Sequence, residues 1–277
     1  MVKISICQFP VCGDLRKNAA FIKAQISEAA QQNTRLAFFP EAALSGYVGT
    51  DLHSFEGFDW DAYLEEMHDI TRLCKKLGIY AVYGGAHRLT SPNKPHNSLY
   101  VASDTGEIIA RYDKRFCTNV DLQHYSAGDR FVCFTIDGVK FGLLICYDIR
   151  FPELYREYKK LEVDVVLHAF YNARAQTPET IHTVIMHPSL QASAASNYVW
   201  VAATNATGEH QSWPSIGIYP DGTIACTLEK GATGITPFTI DPSEKRYDAS
   251  APYRPRALQG VLSSEDAPID PRRDELV

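Results

Sequence analysis

The stretch Phe-Gly-Leu-Leu-Ile-Cys-Tyr-Asp-Ile-Arg-Phe-Pro-Glu-Leu, residues 141–154, joins an apolar run to a polar, proline-bearing turn. The apolar run predicts a buried strand, and the turn indicates the start of a helix. Cys146 lies between the two, where free backbone N–H groups and the positive end of a helix dipole favour a thiolate and a developing oxyanion. We therefore expect a nucleophile elbow with Cys146 at its tip. The alternative is one more buried free cysteine.

A glutamate follows a second apolar run in Phe-Phe-Pro-Glu-Ala-Ala-Leu-Ser-Gly-Tyr, residues 38–47. The apolar residues 36–40 predict a strand, so Glu41 would lie at its carboxyl end. Burial against the neighbouring rings would raise the pKa of Glu41 toward the range of a general base. The alternative is a solvated glutamate with no chemical role.

A lysine follows a third strand-like run in Ala-Arg-Tyr-Asp-Lys-Arg-Phe, residues 110–116. A lysine in a basic tripeptide is normally a surface charge. If Lys114 were held near a thiolate and a carboxylate, it would stay cationic and could stabilise a tetrahedral oxyanion.

A glutamate, a lysine and a cysteine in that order, each after a strand, make the chain resemble the nitrilase, or carbon-nitrogen hydrolase, superfamily. The resemblance begins at Ile-Ser-Ile-Cys-Gln-Phe, residues 4–9, and passes through the three motifs to Tyr-Pro-Asp-Gly, residues 219–222. It covers about residues 2–241, and the three ordered motifs make it specific.

The resemblance implies a role for each motif residue. Glu41 would be the general base and Cys146 the nucleophile, while Lys114 and the backbone N–H of Tyr147 would stabilise the tetrahedral intermediate. The reaction would be covalent acyl transfer through a thioester, followed by hydrolysis. No metal or organic cofactor would be needed.

Three segments depart from the family pattern. Many relatives carry a second glutamate in the loop after the lysine, and in residues 119–128 the nearest match is Asp121, which is one methylene shorter. Residues 191–197 lack the arginine that relatives often have there. The strand after the cysteine carries His168, which either lines the site or is a core histidine with a satisfied hydrogen bond.

The pattern of elements predicts a layered α/β domain with mixed sheets. Helical spacing of apolar residues predicts helices over residues 15–32 and 60–77, and Asp-Gly or Asp-Thr-Gly turns at 104–106, 137–138 and 221–222 predict hairpins. The family resemblance specifies a four-layer α-β-β-α sandwich. We expect a hydrolase domain over residues 1–241 and an extended tail over 242–277, either a disordered terminus or an arm that crosses a dimer partner.

Composition narrows the partners and the compartment. Formal net charge is −6 with no sustained basic tract, so nucleic acid or an anionic membrane is not expected as a partner. Seven cysteines form no C-x-x-C pair, and reduced thiols in a cytoplasmic protein are the simplest account. The first residues show no signal-peptide pattern, and no run is long enough for a transmembrane helix. We expect a homodimer or a higher homo-oligomer acting on a small molecule.

The substrate pocket is the part on which the sequence says least. Arg150 resembles the segment of family amidases that act on carboxylate-bearing amides, because a guanidinium can bind a carboxylate in two places. The alternative is a structural arginine paired with Asp148 or Glu153. Five further residues are candidates for the pocket wall or for the core: Tyr47, Tyr147, Phe170, Tyr171 and Asn172.

We predict a cysteine-dependent hydrolase of a small, linear, non-peptide amide that releases ammonia or an amine. Within the class, a nitrilase or an N-carbamoyl hydrolase would use the same cysteine chemistry. An acyl-transferase that passes the acyl group to an amine is a further possibility. A catalytically silent binding protein on the same fold is the alternative from another class, favoured by the altered loop at Asp121 and opposed by intact Glu41, Lys114 and Cys146.

Overall fold

The computed structural model describes residues 1–172, 181–208 and 210–275. Within these ranges the chain forms twelve strands and six α-helices. The strands are β1 (Val2–Gln8), β2 (Leu36–Phe38), β3 (Tyr80–His87), β4 (His96–Ala102), β5 (Ile108–Asp113), β6 (Cys133–Ile136), β7 (Val139–Ile145), β8 (Val165–Phe170), β9 (Trp200–Asn205), β10 (Ile216–Ile218), β11 (Ile224–Thr227) and β12 (Gly234–Ile240). The helices are α1 (Leu15–Gln31), α2 (Trp60–Leu77), α3 (Asp121–His124), α4 (Pro152–Lys160), α5 (Ile181–Asn197) and α6 (Arg254–Leu258), with 3-10 turns at Cys146–Arg150 and Pro271–Asp274.

Two six-stranded mixed sheets carry the fold. The first has the order β12-β1-β2-β3-β4-β5 and the second the order β11-β10-β9-β8-β7-β6. In each sheet three neighbouring strands are parallel to one another: β1, β2 and β3 in the first, and β7, β8 and β9 in the second. The flanking strands are antiparallel. Parallel strands are buried on both faces, which explains their continuous apolar runs.

The layers follow from which side chains are buried together. Alternate residues of β1, such as Ile4 and Ile6, pack against residues of the second sheet in one core between the sheets. A second core lies between the outer face of the first sheet and the apolar stripes of α1 and α2. Helices α4 and α5 cover the outer face of the second sheet. The α-β-β-α sandwich with two mixed sheets predicted from the sequence is confirmed.

Local sequence signals account for most of the boundaries. The Asp14 side chain caps α1 by accepting from the N–H groups of Arg16 and Lys17, and α2 ends at Gly78 in the left-handed conformation. The three predicted turns join antiparallel pairs, namely β4 with β5, β6 with β7, and β10 with β11. Strand β12 is not among the predicted strands.

The segment after β12 lies mostly on the surface. Arg254 of α6 forms an ion pair with Asp248 inside this segment, while Tyr247 and Leu262 are 81% and 88% exposed. None of the helices in the described ranges combines the length and apolar character that a bilayer span requires.

Candidate active site

The three motif residues come together at the carboxyl ends of strands from both sheets. Glu41 follows β2, Lys114 follows β5 directly, and Cys146 follows β7 directly. The Nζ atom of Lys114 is 2.8 Å from Oε1 of Glu41. A cavity of about 310 Å³ opens onto Lys114 and Cys146, and its other lining residues are Tyr47, Thr50, Thr118, Tyr147, Tyr171, Asn172, His182 and Ser212.

Cys146 lies at a sharp turn between β7 and the 3-10 turn that it begins. Its φ of 45° lies in the left-handed region, which costs a non-glycine residue about 1–2 kcal/mol. The carboxylate of Asp148 holds this turn from below, because it accepts from the N–H of Ile145 at 3.0 Å, from the N–H of Phe116 at 2.9 Å and from the Tyr112 hydroxyl at 2.8 Å. Asp148 thereby fixes the cysteine turn to the lysine loop.

The Glu41 carboxylate is fully buried. Its Oε1 accepts from Lys114 Nζ and from Asn97 Nδ2, each at 2.8 Å, while Oε2 has no hydrogen-bond partner among the described residues. The loop that carries Glu41 lies directly on β3 at Gly84, where a Cβ atom would approach the backbone N of Ala42 to 2.3 Å. Only glycine allows this packing, which places the backbone of Glu41 directly on β3.

The Lys114 ammonium is fully buried between two carboxylates. Besides Glu41, it donates to Oδ2 of Asp121 at 2.9 Å, so the shorter aspartate does reach the lysine. Asp121 also accepts from the N–H of Thr118 at 2.9 Å and from the Tyr47 hydroxyl. These donors hold the Asp121 carboxylate against the lysine side chain.

Burial and charge assign a protonation state to each group. Burial raises the pKa of Glu41, and Asp121 adds to this increase while Lys114 opposes it. Burial disfavours the charged forms of Lys114 and Asp121. The nearby carboxylates nevertheless raise the pKa of Lys114, and the lysine lowers the pKa of Asp121. Burial first, and then the charge of Glu41, raise the pKa of the Cys146 thiol. These shifts favour a neutral thiol, a cationic lysine and an ionised Asp121.

Aromatic residues form one wall of the cavity. The rings of Tyr47 and Tyr171 lie 4.9 Å apart, and Lys114 Nζ is 5.9 Å from the centre of the Tyr47 ring. Asp51 joins the two tyrosines, since it accepts from the Tyr47 N–H and from the Tyr171 hydroxyl, each at 2.9 Å. Both tyrosines line the cavity.

Asn172 also lines the cavity, two residues after the end of β8. Its Nδ2 lies 3.9 Å from Sγ of Cys146, and its Oδ1 accepts from the indole Nε1 of Trp213 at 3.0 Å. The Asn172 backbone N–H donates to Oδ1 of Asn205 at 2.7 Å, and Asn205 Nδ2 donates to the Trp213 carbonyl at 2.8 Å. The buried side chain of Asn205 therefore holds Asn172 and Trp213 in place beside each other.

Two predicted residues lie in the core, behind the cavity. Phe170 is fully buried and packs on His168 and Trp213, at ring distances of 4.2 and 4.9 Å, and it does not line the cavity. The reason is strand alternation, because residues 168 and 170 of β8 point to the same face. His168 accepts or donates one hydrogen bond with the Tyr155 hydroxyl at 2.8 Å, and burial lowers its pKa well below the usual range.

The mouth of the cavity carries Tyr147, which is 37% exposed and packs on Phe151. Arg150 is exposed and lies near enough to His182, a lining residue, that after burial its positive charge lowers the pKa of that histidine. Among the described residues Arg150 forms no ion pair with Asp148 or Glu153.

Three residues of the site are not predicted in these roles by the sequence. Asn97 binds Glu41 from 56 positions away, Asp148 fixes the cysteine turn, and Trp213 fixes Asn172 from 41 positions away. Of these, only Asp148 had a local signal, because it lies two residues from Cys146. In the described part of the chain no group of three or more metal-ligating side chains is assembled, and all seven cysteines are free.

The sequence matches the family model described as carbon-nitrogen hydrolase over residues 3–247. The chain belongs to the carbon-nitrogen hydrolase family. Its relatives include amidases, and together with the family match they support amide hydrolysis as its general activity.

Two curated relatives and one solved structure illustrate the likeness. The deaminated glutathione amidase of Dictyostelium discoideum is 28% identical over 230 residues, 76% of each chain. The omega-amidase NIT2 of Xenopus tropicalis is 28% identical over 225 residues, 78% of each chain. A glutamate-to-glutamine mutant of the amidase from Nesterenkonia sp. AN1 superposes with a TM-score of 0.74 at 20% identity, covering 85% of this chain and 89% of that one. That structure shows covalent addition of the acetamide moiety of fluoroacetamide at its active site cysteine, and the likeness to this chain is one of fold.

Proposed function

We propose that this carbon-nitrogen hydrolase cleaves a small linear amide through a thioester on Cys146. The observation that carries the proposal is the unpartnered Oε2 of buried Glu41, in a site where the neighbouring thiol is still protonated. A base with a raised pKa and a free oxygen can accept the thiol proton as the sulfur attacks. The adduct on the cysteine of the solved amidase supports the same chemistry here.

The steps balance with these residues alone. The proton of the Cys146 thiol passes to Glu41, and the sulfur forms a bond to the carbonyl carbon. Lys114 and the N–H of Tyr147 stabilise the resulting oxyanion. The proton on Glu41 then passes to the leaving nitrogen, the carbon-nitrogen bond breaks, and ammonia or an amine departs.

Water completes the cycle by the same route. It gives a proton to Glu41 as its oxygen bonds to the thioester carbon, and Lys114 again stabilises the oxyanion. The carbon-sulfur bond breaks, the proton returns to sulfur, and a carboxylic acid is released. Asp121 keeps Lys114 charged and in place throughout. In this proposal Asp121 takes the place of the second glutamate that many relatives carry.

The substrate is proposed from the size and charge of the cavity. About 310 Å³ is at the lower end of the range for small-molecule sites. Arg150, exposed near the lining residue His182, would favour an amide that also carries a carboxylate. The relatives that are a deaminated glutathione amidase and an omega-amidase are consistent with this class. A nitrile or an N-carbamoyl compound remains the alternative substrate, because both would use the same thiol.

The deciding experiment is a panel of small amides, carbamoyl compounds and nitriles, with ammonia release and intact mass as readouts. Cys146→Ala is the control. Ammonia release that depends on Cys146, or a thioester adduct on it, supports the proposal. Silence across the panel with no adduct would favour a binding protein on the same fold. Product analysis separates hydrolysis from acyl transfer, since a hydrolase releases the carboxylic acid with water as the sole acceptor, whereas a transferase turns over only when an amine acceptor is added.

We also propose a cytoplasmic homodimer or higher homo-oligomer, with the segment after residue 241 as an arm that crosses a partner. The high exposure of Tyr247 and Leu262 supports this arrangement, because a partner would cover them. Light scattering on the full chain and on a chain ending at residue 241 tests it. An unchanged oligomeric state would exclude the arm from the interface.

A further inference from the structure

Asn172 lies beside the nucleophile, yet the steps above assign it no role. Its amide separates Cys146 Sγ, 3.9 Å from Nδ2, from the indole of Trp213, 3.0 Å from Oδ1. An indole nitrogen can only donate, so the atom that faces it must be the amide oxygen. The amide NH₂ group therefore faces the sulfur.

This orientation is held rigidly. Trp213 is 2% exposed and packs edge-on against Phe170, and Asn205 binds the backbone of both Asn172 and Trp213. A donor that is already in place when charge develops needs no reorganisation during the reaction, which is the condition for electrostatic catalysis.

The sulfur also needs a donor that Lys114 cannot supply alone. An ammonium has three N–H donors, and Lys114 commits two of them to Glu41 and Asp121. The third can serve either the sulfur anion or the carbonyl oxygen of the substrate. Meanwhile the charge of Glu41 disfavours a negative sulfur. A neutral N–H donor beside the sulfur would supply the missing stabilisation.

We propose that Asn172 is a catalytic residue that donates to Sγ of Cys146 as its proton passes to Glu41, and that Trp213 is the positioning residue that fixes the donor. The contact between Nδ2 and Sγ shortens as the sulfur becomes negative and then relaxes as the sulfur bonds to carbon. The inference rests on the proposed function for the substrate step, whereas the reactivity of the Cys146 thiol can be measured without substrate.

Alkylation of Cys146 by iodoacetamide tests the donor directly. The sulfur displaces iodide from the reagent, and only the thiolate does so at a useful rate. The rate at Cys146 is followed across pH by site-resolved mass spectrometry for the wild type, Asn172→Leu, which removes the donor without adding charge, and Trp213→Phe. Trp200→Phe is the matched control. Trp200, the first residue of β9, is 3% exposed and packs on Tyr219 and Phe238, away from the site.

We expect Asn172→Leu to slow alkylation at neutral pH on the order of tenfold to a hundredfold, the loss of a hydrogen bond to a charged group. The midpoint of its pH profile should move to higher pH. Trp213→Phe removes the indole donor and should have a smaller effect in the same direction, while Trp200→Phe should match the wild type. The double variant should be no slower than Asn172→Leu alone, because Trp213 acts through Asn172.

Unchanged profiles in Asn172→Leu and Trp213→Phe would overturn the proposal. So would effects that add in the double variant, or that follow only the loss in Tm, because these indicate a structural role. The failure of the proposed function is seen separately. If the amide panel is silent but the alkylation profiles shift as expected, the donor role stands and the substrate assignment fails.

Discussion

Asp121→Asn is the change that tests the charge arrangement of the site most directly. The carboxylate accepts from Lys114 Nζ and the Thr118 N–H on one oxygen and from the Tyr47 hydroxyl on the other. An amide has the same shape, and its oxygen can keep the first two donors. Its NH₂ group would then face Tyr47, whose hydroxyl must turn from donor to acceptor. The shape survives, but one negative charge is removed.

The cost in stability should be moderate. Removing one partner of a buried ion pair commonly costs about 3–5 kcal/mol when the other charge is left alone. Lys114 keeps Glu41 at 2.8 Å, so the loss should be closer to that of one hydrogen bond to a charged group, about 1.5–3 kcal/mol. For a chain of this length we expect a fall in Tm of roughly 5 °C.

The effect on activity has a definite sign. The negative charge of Asp121 helps to raise the pKa of Glu41, so its removal should lower that pKa. Glu41 must be ionised to accept the thiol proton, and the acid limb of kcat/KM should therefore move to lower pH. A looser Lys114 should at the same time reduce the plateau, by about tenfold to a hundredfold.

The assay is kcat/KM against pH on the best amide of the panel, with thermal unfolding at each pH. Asp121→Glu is the matched control, because it keeps the charge and changes only the reach; its acid limb should stay near that of the wild type while its plateau falls. An acid limb in Asp121→Asn that stays in place or moves to higher pH would refute the reasoning. An unaltered rate would show that this aspartate takes no part in the site.

Three further substitutions test other parts of the site. Glu41→Gln should reduce kcat by about a hundredfold to ten-thousandfold, yet its Tm at pH 7 should not fall, because burial raises the pKa of Glu41 and its ionisation above that pKa costs folded-state stability; a large loss of Tm would contradict this. Gly84→Ala should destabilise the fold by about 1–3 kcal/mol in urea unfolding, since its Cβ would meet the backbone N of Ala42 at 2.3 Å. Asp148→Asn should lower kcat without raising KM, as it loosens the cysteine turn; steady-state kinetics with an unchanged kcat would exclude that role.

The sequence predicts those parts of the fold that local patterns determine. Both long helices and the three hairpin turns follow from spacing and turn residues within short windows. Strand β12 was not predicted because it contains Pro237, has only two buried residues and lies at the edge of its sheet. Its partner β1 lies more than two hundred positions away, and no local pattern encodes that pairing.

The same distinction applies to the site. The residues Glu41, Lys114 and Cys146 lie in recognisable motifs, and the fold brings them together at strand ends. The burial of Lys114 is the surprise, because a basic tripeptide is typical of a surface. Asn97 and Trp213 act from distant strands and loops, where nothing in the neighbouring letters marks them as partners of the site. Tertiary contact alone creates their roles.

The strained backbone at Cys146 sets thermal stability against activity in this enzyme. An asparagine there would tolerate the φ of 45°, and its amide would face Glu41, whose charge already acts on the Cys146 thiol. Cys146→Asn would thus suit the local backbone and the buried carboxylate better than the native residue while removing the proposed nucleophile. Directed evolution of this chain by heat resistance alone would therefore select against its own chemistry, and any thermostabilisation campaign needs an activity screen at every round.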